Sequence, residues 1–128
     1  MSHVGIVLIS HSPKIADGIK DLISQVIKDV PIVAAGGTDE NDIGTSFEKI
    51  SNAIEEVYSE KGVLLFYDLG SALMNAEMAI EMSEHDNIRV AKDVALVEGA
   101  YVSAVEASMG KSLEEILESA KRAIAPTE

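Results

Sequence analysis

The chain has 128 residues, 47% of them hydrophobic and 25% charged, enough to bury one sizeable core with no long polar tract left over. A single folded domain over residues 1–128 is expected. With 22 acidic against 10 basic residues, the net charge of −12 repels phosphate backbones and anionic lipid head groups, so neither nucleic acid nor a membrane is an expected partner. There is no cysteine, which removes disulfides, thiolate nucleophiles and cysteine-ligated metals.

The first element is the apolar run Val4 to Ile9, which reads as a strand. It is too short to cross a bilayer and lacks the basic start and small-residue cleavage site of a signal peptide, so a cytoplasmic location is expected. A helix follows, capped by Ser12 and opened by Pro13, with Ile15, Ile19, Leu22, Ile23, Val26 and Ile27 on one stripe. Ile32 to Ala35 forms a second strand. Thr45-Ser46-Phe47-Glu48 has capping-box spacing and starts a second helix that turns Phe47, Ile50, Ile54 and Val57 inward and ends near Lys61-Gly62.

Val63 to Tyr67 is the third strand. Asp68-Leu69-Gly70-Ser71 leads into a methionine-rich third helix reaching Met82, with Leu73, Ala76 and Ile80 on one face and its methionines read as plastic core or interface filler. Arg89 to Lys92 is a weaker fourth strand. Two helical segments close the chain, Val94 to Ala107 and Ser112 to Ile124, the latter with a capping box in Ser112-Leu113-Glu114-Glu115. The alternation predicts an α/β fold, an open doubly wound three-layer sandwich around a mainly parallel four-stranded sheet, because strands buried on both faces read as unbroken apolar runs.

In such sheets, ligands sit beyond the carboxyl ends of the strands. Those ends carry Ser10-His11-Ser12, Gly36-Gly37-Thr38, Asp68-Leu69-Gly70-Ser71 and Asp93. A histidine at the start of a helix lies near free backbone N–H groups and the positive end of the dipole, where an anion is favoured. If Asp68 holds one ring nitrogen, the other becomes a nucleophile for a phosphoryl group, whose oxygens would meet backbone amides and the hydroxyls of Ser12, Thr38 and Ser71. Each residue also has a plainer reading: His11 as a capping or packing residue, Asp68 as a helix cap, and Gly36, Gly37 and Gly70 as turn residues.

The remaining histidines carry less. His3 precedes the first strand on an expected flexible end, and His85 stands in Ser83-Glu84-His85-Asp86-Asn87, an expected exposed turn whose adjacent side chains do not have the spacing of metal ligands. No metal or cofactor is expected. The chain has no G-x-x-x-x-G-K-[ST], G-x-G-x-x-G or G-x-S-x-G motif, against nucleotide-hydrolysing, dinucleotide-binding and serine-hydrolase sites.

The segments IVLISHSPKIADGI, AAGGTDENDIGTS, VLLFYDLGSALMNAEMAIE and ALVEGAYVSAV, spread in order from Val4 to about Ile124, resemble the DhaM family. Its members are phosphotransfer subunits of the dihydroxyacetone kinases that draw on the phosphoenolpyruvate phosphotransferase system. The resemblance implies a mannose-type IIA-like fold that forms a homodimer. It also implies a histidine, here His11, that takes a phosphoryl group from the phosphocarrier HPr and passes it to ADP held on DhaL, whose ATP then serves dihydroxyacetone on DhaK. By the same resemblance Asp68 orients the ring and leaves Nε2 to be phosphorylated, and Ser12, Gly37, Thr38, Gly70 and Ser71 surround the phosphoryl group. Some members carry further HPr-like and enzyme-I-like domains; with this chain ending at Glu128, such domains are expected as separate proteins. Two alternatives stand beside this reading: a mannose-type IIA domain serving a sugar-specific IIB partner, and a non-catalytic anion-binding regulatory module. The former typically has Gly-Gly-Ser-Pro shortly after the aspartate, where this chain has Leu69-Gly70-Ser71-Ala72.

Overall fold

The computed structural model describes residues 2–123. Its elements are β1 (Gly5–Ser10), α1 (Pro13–Ser24), β2 (Ile32–Gly36), α2 (Phe47–Val57), β3 (Val63–Tyr67), α3 (Gly70–Met82), β4 (Ile88–Val90), α4 (Leu96–Ser108) and α5 (Leu113–Arg122). The strands make one sheet in the order β2-β1-β3-β4, parallel at every pairing, with Ile9 beside both Ala35 and Tyr67. This is the α/β architecture expected from the alternating pattern.

The two central strands explain the three layers. Successive side chains of a strand point to opposite faces, so along the apolar runs Ile6 to Ile9 of β1 and Val63 to Phe66 of β3 each face receives bulk. Ile6, Leu8, Leu64 and Phe66 join the core beneath α1, α4 and α5. Val7, Ile9, Val63 and Leu65 join the opposite core beneath α2 and α3. Gly5 is required where the chain passes α2: a Cβ there would lie 2.5 Å from the Val57 carbonyl oxygen. The crossovers run outward in both directions from the β1–β3 pair, so the crevice between the carboxyl ends of β1 and β3 is the switch point where such sheets place their sites.

Several expected details shift. Helix α2 is capped by Ser46 rather than Thr45: the Ser46 hydroxyl accepts from Lys49 N, while the Thr45 hydroxyl accepts from Asn75 Nδ2 at 2.7 Å. The predicted Thr45–Glu48 box is therefore not the one used. Helix α1 packs through Ala16, Ile19 and Ile23, and Ile15, Leu22 and Val26, expected on the buried stripe, are half or more exposed. A small residue, Ala16, takes the inward place and rotates the larger ones toward solvent.

Helix α3 likewise buries Ala72, Ala76 and Ala79 rather than the larger Leu73 and Ile80, which are only partly covered. Its methionines Met74, Met78 and Met82 face outward. Strand β4 starts one residue earlier than expected and is short. Val94 precedes α4 because Asp93 adopts a left-handed φ of 57°, which the helical region cannot accommodate. The capping box of α5 forms as read, with Ser112 and Glu115 bonded reciprocally; Ile124, expected at its end, lies outside the described residues.

Candidate functional site

Strand β1 ends at Ser10, and the chain turns at His11 into α1, where the Ser12 hydroxyl accepts from Ile15 N. One strand over, β3 delivers Asp68 at the same end of the sheet. The parallel register that sets Ile9 against Tyr67 brings the two loops together. His11 Nδ1 lies 3.0 Å from Asp68 Oδ1, and Nε2 lies 2.7 Å from the Ser71 hydroxyl in the first turn of α3.

Asp68 is saturated with donors. Its Oδ1 also accepts from Leu69 N at 2.7 Å, and its Oδ2 accepts from the Ser10 hydroxyl at 2.7 Å and from His11 N at 3.0 Å. Burial pushes its pKa up, but the hydrogen bonds from Ser10, His11 and Leu69 outweigh that and hold it below the ordinary carboxylate value. A carboxylate only accepts, so the facing Nδ1 carries the hydrogen. In the neutral ring Nε2 then has the free lone pair, and the Ser71 hydroxyl donates to it.

Around that nitrogen the polar environment is unfinished. Helix α3 has Leu69 as its N-cap with no side-chain cap bond, Ala72 N reaches back to Leu69 O, and the N–H groups of Gly70 and Ser71 have no intrahelical acceptor. A Cβ on Gly70 would meet nothing within 4 Å, so the start of α3 is uncrowded on that side. The His11 side chain is 22% exposed. A cleft of about 570 Å³ lies well away from this site, between α3, β4 and α5. The histidine is thus partly exposed at the carboxyl end of the sheet.

Of the residues singled out in the sequence, the structure brings together His11, Asp68 and Ser71, with Gly70 next to Ser71 at the start of α3. The others are placed differently. Ser12 is adjacent, with its hydroxyl used as the α1 cap. Gly37, at a φ of 78°, packs where a Cβ would strike the Pro13 ring, and its N–H is taken by Ser10 O. Thr38 closes a local turn, its N–H donating to Asp42 O and its hydroxyl accepting from Asp42 N. The loop between β2 and α2 still supports the site, because Gly44 N donates to His11 O at 2.8 Å. Ser10, which the sequence places in the loop after the first strand without a role, is instead the last residue of β1, and its partner Asp68 is 58 residues away in sequence.

Residues 5–117 match the family described as PTS system fructose IIA component, EIIA-man. The chain belongs to that family. Among curated relatives, it is 43% identical over 114 residues, covering 89% of this chain and 90% of the relative, to the PTS-dependent dihydroxyacetone kinase phosphotransferase subunit DhaM of Lactococcus lactis subsp. lactis. It is 44% identical over 112 residues, 88% of each chain, to the PEP-dependent dihydroxyacetone kinase 1 phosphoryl donor subunit DhaM of Listeria innocua serovar 6a. A solved structure of the protein EF1359, described as of unknown function, superposes with a TM-score of 0.88 at 37% identity over 100% of this chain and 99% of that one.

Proposed function

We propose that this chain is a phosphohistidine carrier, the phosphoryl donor subunit of a phosphoenolpyruvate-dependent dihydroxyacetone kinase. The observation that carries the reading is the polarised ring of His11: Nδ1 is held on a donor-saturated carboxylate, and Nε2 is accessible beside Ser71 and the uncapped start of α3. The similarity to two DhaM subunits over nearly their whole length supports the choice of pathway.

In the reaction, Nε2 of His11 attacks the phosphorus of the phosphohistidine on HPr. A new N–P bond forms as the N–P bond to the donor histidine breaks, and that histidine leaves with the electron pair. The ring of His11 gains positive charge, which Asp68 offsets through Nδ1–H. The Ser71 hydroxyl, released from Nε2, turns to the phosphoryl oxygens together with the N–H groups of Gly70 and Ser71, and the dipole of α3 favours the same charge. Ser12, Gly37 and Thr38 shape the surrounding loops. In the second step a terminal phosphate oxygen of ADP on DhaL attacks the phosphorus, ATP forms, and His11 returns to its starting state. HPr and DhaL carrying ADP are the partners, met in the cytoplasm by a homodimer of this chain. The reaction needs no cofactor or metal on the chain itself.

The test is discharge. The protein, phosphorylated with phosphoenolpyruvate, enzyme I and HPr, is mixed with DhaL carrying ADP. Loss of the adduct with formation of one ATP per phosphoryl group is expected. An adduct that survives DhaL but is discharged by a sugar-specific IIB domain contradicts the assignment.

A further inference from the structure

We infer that Ser10 is a positioning residue for the phosphoryl-transfer reaction, setting the tautomer of His11 through Asp68; this rests on the phosphocarrier reading above. Ser10 is fully buried at the end of β1, where an apolar residue would suit the strand. Its hydroxyl instead makes two bonds with distinct ends. It donates to Asp68 Oδ2 at 2.7 Å and accepts from Ser12 N at 3.0 Å.

The consequence is a chain of oriented groups. Ser12 N belongs to the N-cap of α1, and because it fills a lone pair of Ser10 Oγ, the hydroxyl hydrogen is directed toward Asp68. With Oδ2 pinned by Ser10 and by His11 N, the carboxylate has one orientation, and its Oδ1 is presented to Nδ1. The backbone gives each oxygen one donor, His11 N on Oδ2 and Leu69 N on Oδ1, and Ser10 supplies the side-chain donor that completes Oδ2. Removing the hydroxyl leaves one fewer donor on a mostly buried oxygen and no acceptor for Ser12 N, and such losses are costly because water does not readily replace them. The Ser10 hydrogen bond is also the foremost of those that lower the Asp68 pKa, so it favours the ionised carboxylate that faces the ring.

The variants Ser10→Ala and Ser10→Thr test this, read by ring-nitrogen NMR shifts of His11 in the isolated protein and by the rate of phosphorylation from phospho-HPr. Ser10→Ala is expected to lose the rate by roughly tenfold to a hundredfold and to shift the ring away from the pure Nδ1–H form, while Ser10→Thr, which keeps the hydroxyl, restores both. In the background of Asp68→Asn, Ser10→Ala should add less than about threefold, since both act through one group. Wild-type rate and wild-type ring shifts in Ser10→Ala overturn the proposal. So does a slowed Ser10→Ala whose ring shifts are unchanged, because that marks a structural role alone. The NMR measurement needs no partner, so it stands or falls separately from whether HPr phosphorylates the chain.

Discussion

Replacing Asp68 by asparagine exchanges one oxygen for an NH2 group and should disable much of the site. In the native protein the two carboxylate oxygens receive four hydrogens, from Ser10, His11 N, His11 Nδ1 and Leu69 N. An amide has one oxygen, so either orientation sets its NH2 against a backbone N–H. With the NH2 at the Oδ2 position it opposes His11 N. With the NH2 at the Oδ1 position it opposes Leu69 N and donates to Nδ1, which stabilises the tautomer whose Nε2 is protonated and cannot attack. Loss of a charge-assisted hydrogen bond costs about 1.5–3 kcal/mol, which at about 1.4 kcal/mol per decade predicts a rate of phosphorylation reduced by about 10- to 150-fold. The assay is a rapid-quench time course with phospho-HPr at saturating concentration, and a rate within twofold of wild type refutes the reasoning. The same substitution has a pH signature. Because the folded-state pKa of Asp68 is depressed, its stabilising contribution is present at neutral pH and is lost as pH falls through the folded value. The stability gap between wild type and Asp68→Asn should therefore be widest near neutrality and close in acid below the ordinary carboxylate range; a gap that widens in acid contradicts the assigned direction.

Two further substitutions test the scaffold. Ser112→Ala removes one half of the α5 capping box, whose bonds are 3.0 and 3.2 Å long, and should cost about 1 kcal/mol of stability in urea unfolding, with phosphorylation unchanged. Gly5→Ala forces a Cβ to within 2.7 Å of the Val57 Cβ as well as against the Val57 carbonyl oxygen. A destabilisation of about 1–3 kcal/mol is expected, and a neutral outcome would mean that β1 and α2 are more loosely held than described.

How far the sequence foretold this molecule depends on whether the deciding contact is local. VGIVLI and VLLFY, short apolar runs without a break, read as strands covered on both faces and are so, and Ser112 with Glu115 carried its own cap geometry. His11 and Asp68 were legible because the fold rule points to the ends of β1 and β3. The choice between Thr45 and Ser46 was not, since it turns on Asn75, thirty residues away. The inward faces of α1 and α3 were legible only in part: Ile19, Ile23 and Ala76 are buried as expected, but Ala16, Ala72 and Ala79 complete the buried faces while Ile15, Leu22 and Val26 are exposed and Leu73 and Ile80 partly so. In α3, apolar side chains surround the helix, so period alone names no face. Thr38 stands at a strand end as anticipated, but the turn it forms with Asp42 engages its hydroxyl, and that turn depends on the left-handed Asn41. No role was legible for Ser10 because its partner Asp68 follows another strand, 58 residues on.

The central claim is that Nε2 of His11 carries the phosphoryl group. The most direct measurement is intact-protein mass spectrometry of wild type and His11→Ala after incubation with phosphoenolpyruvate, enzyme I and HPr, followed by fragment analysis under alkaline conditions. The account predicts one acid-labile phosphoryl adduct in wild type, located on His11, and none in a His11→Ala protein whose melting temperature stays within a few degrees of wild type, since a side chain at the end of a strand contributes little packing. An adduct that persists in His11→Ala, or one mapped to another residue, contradicts it.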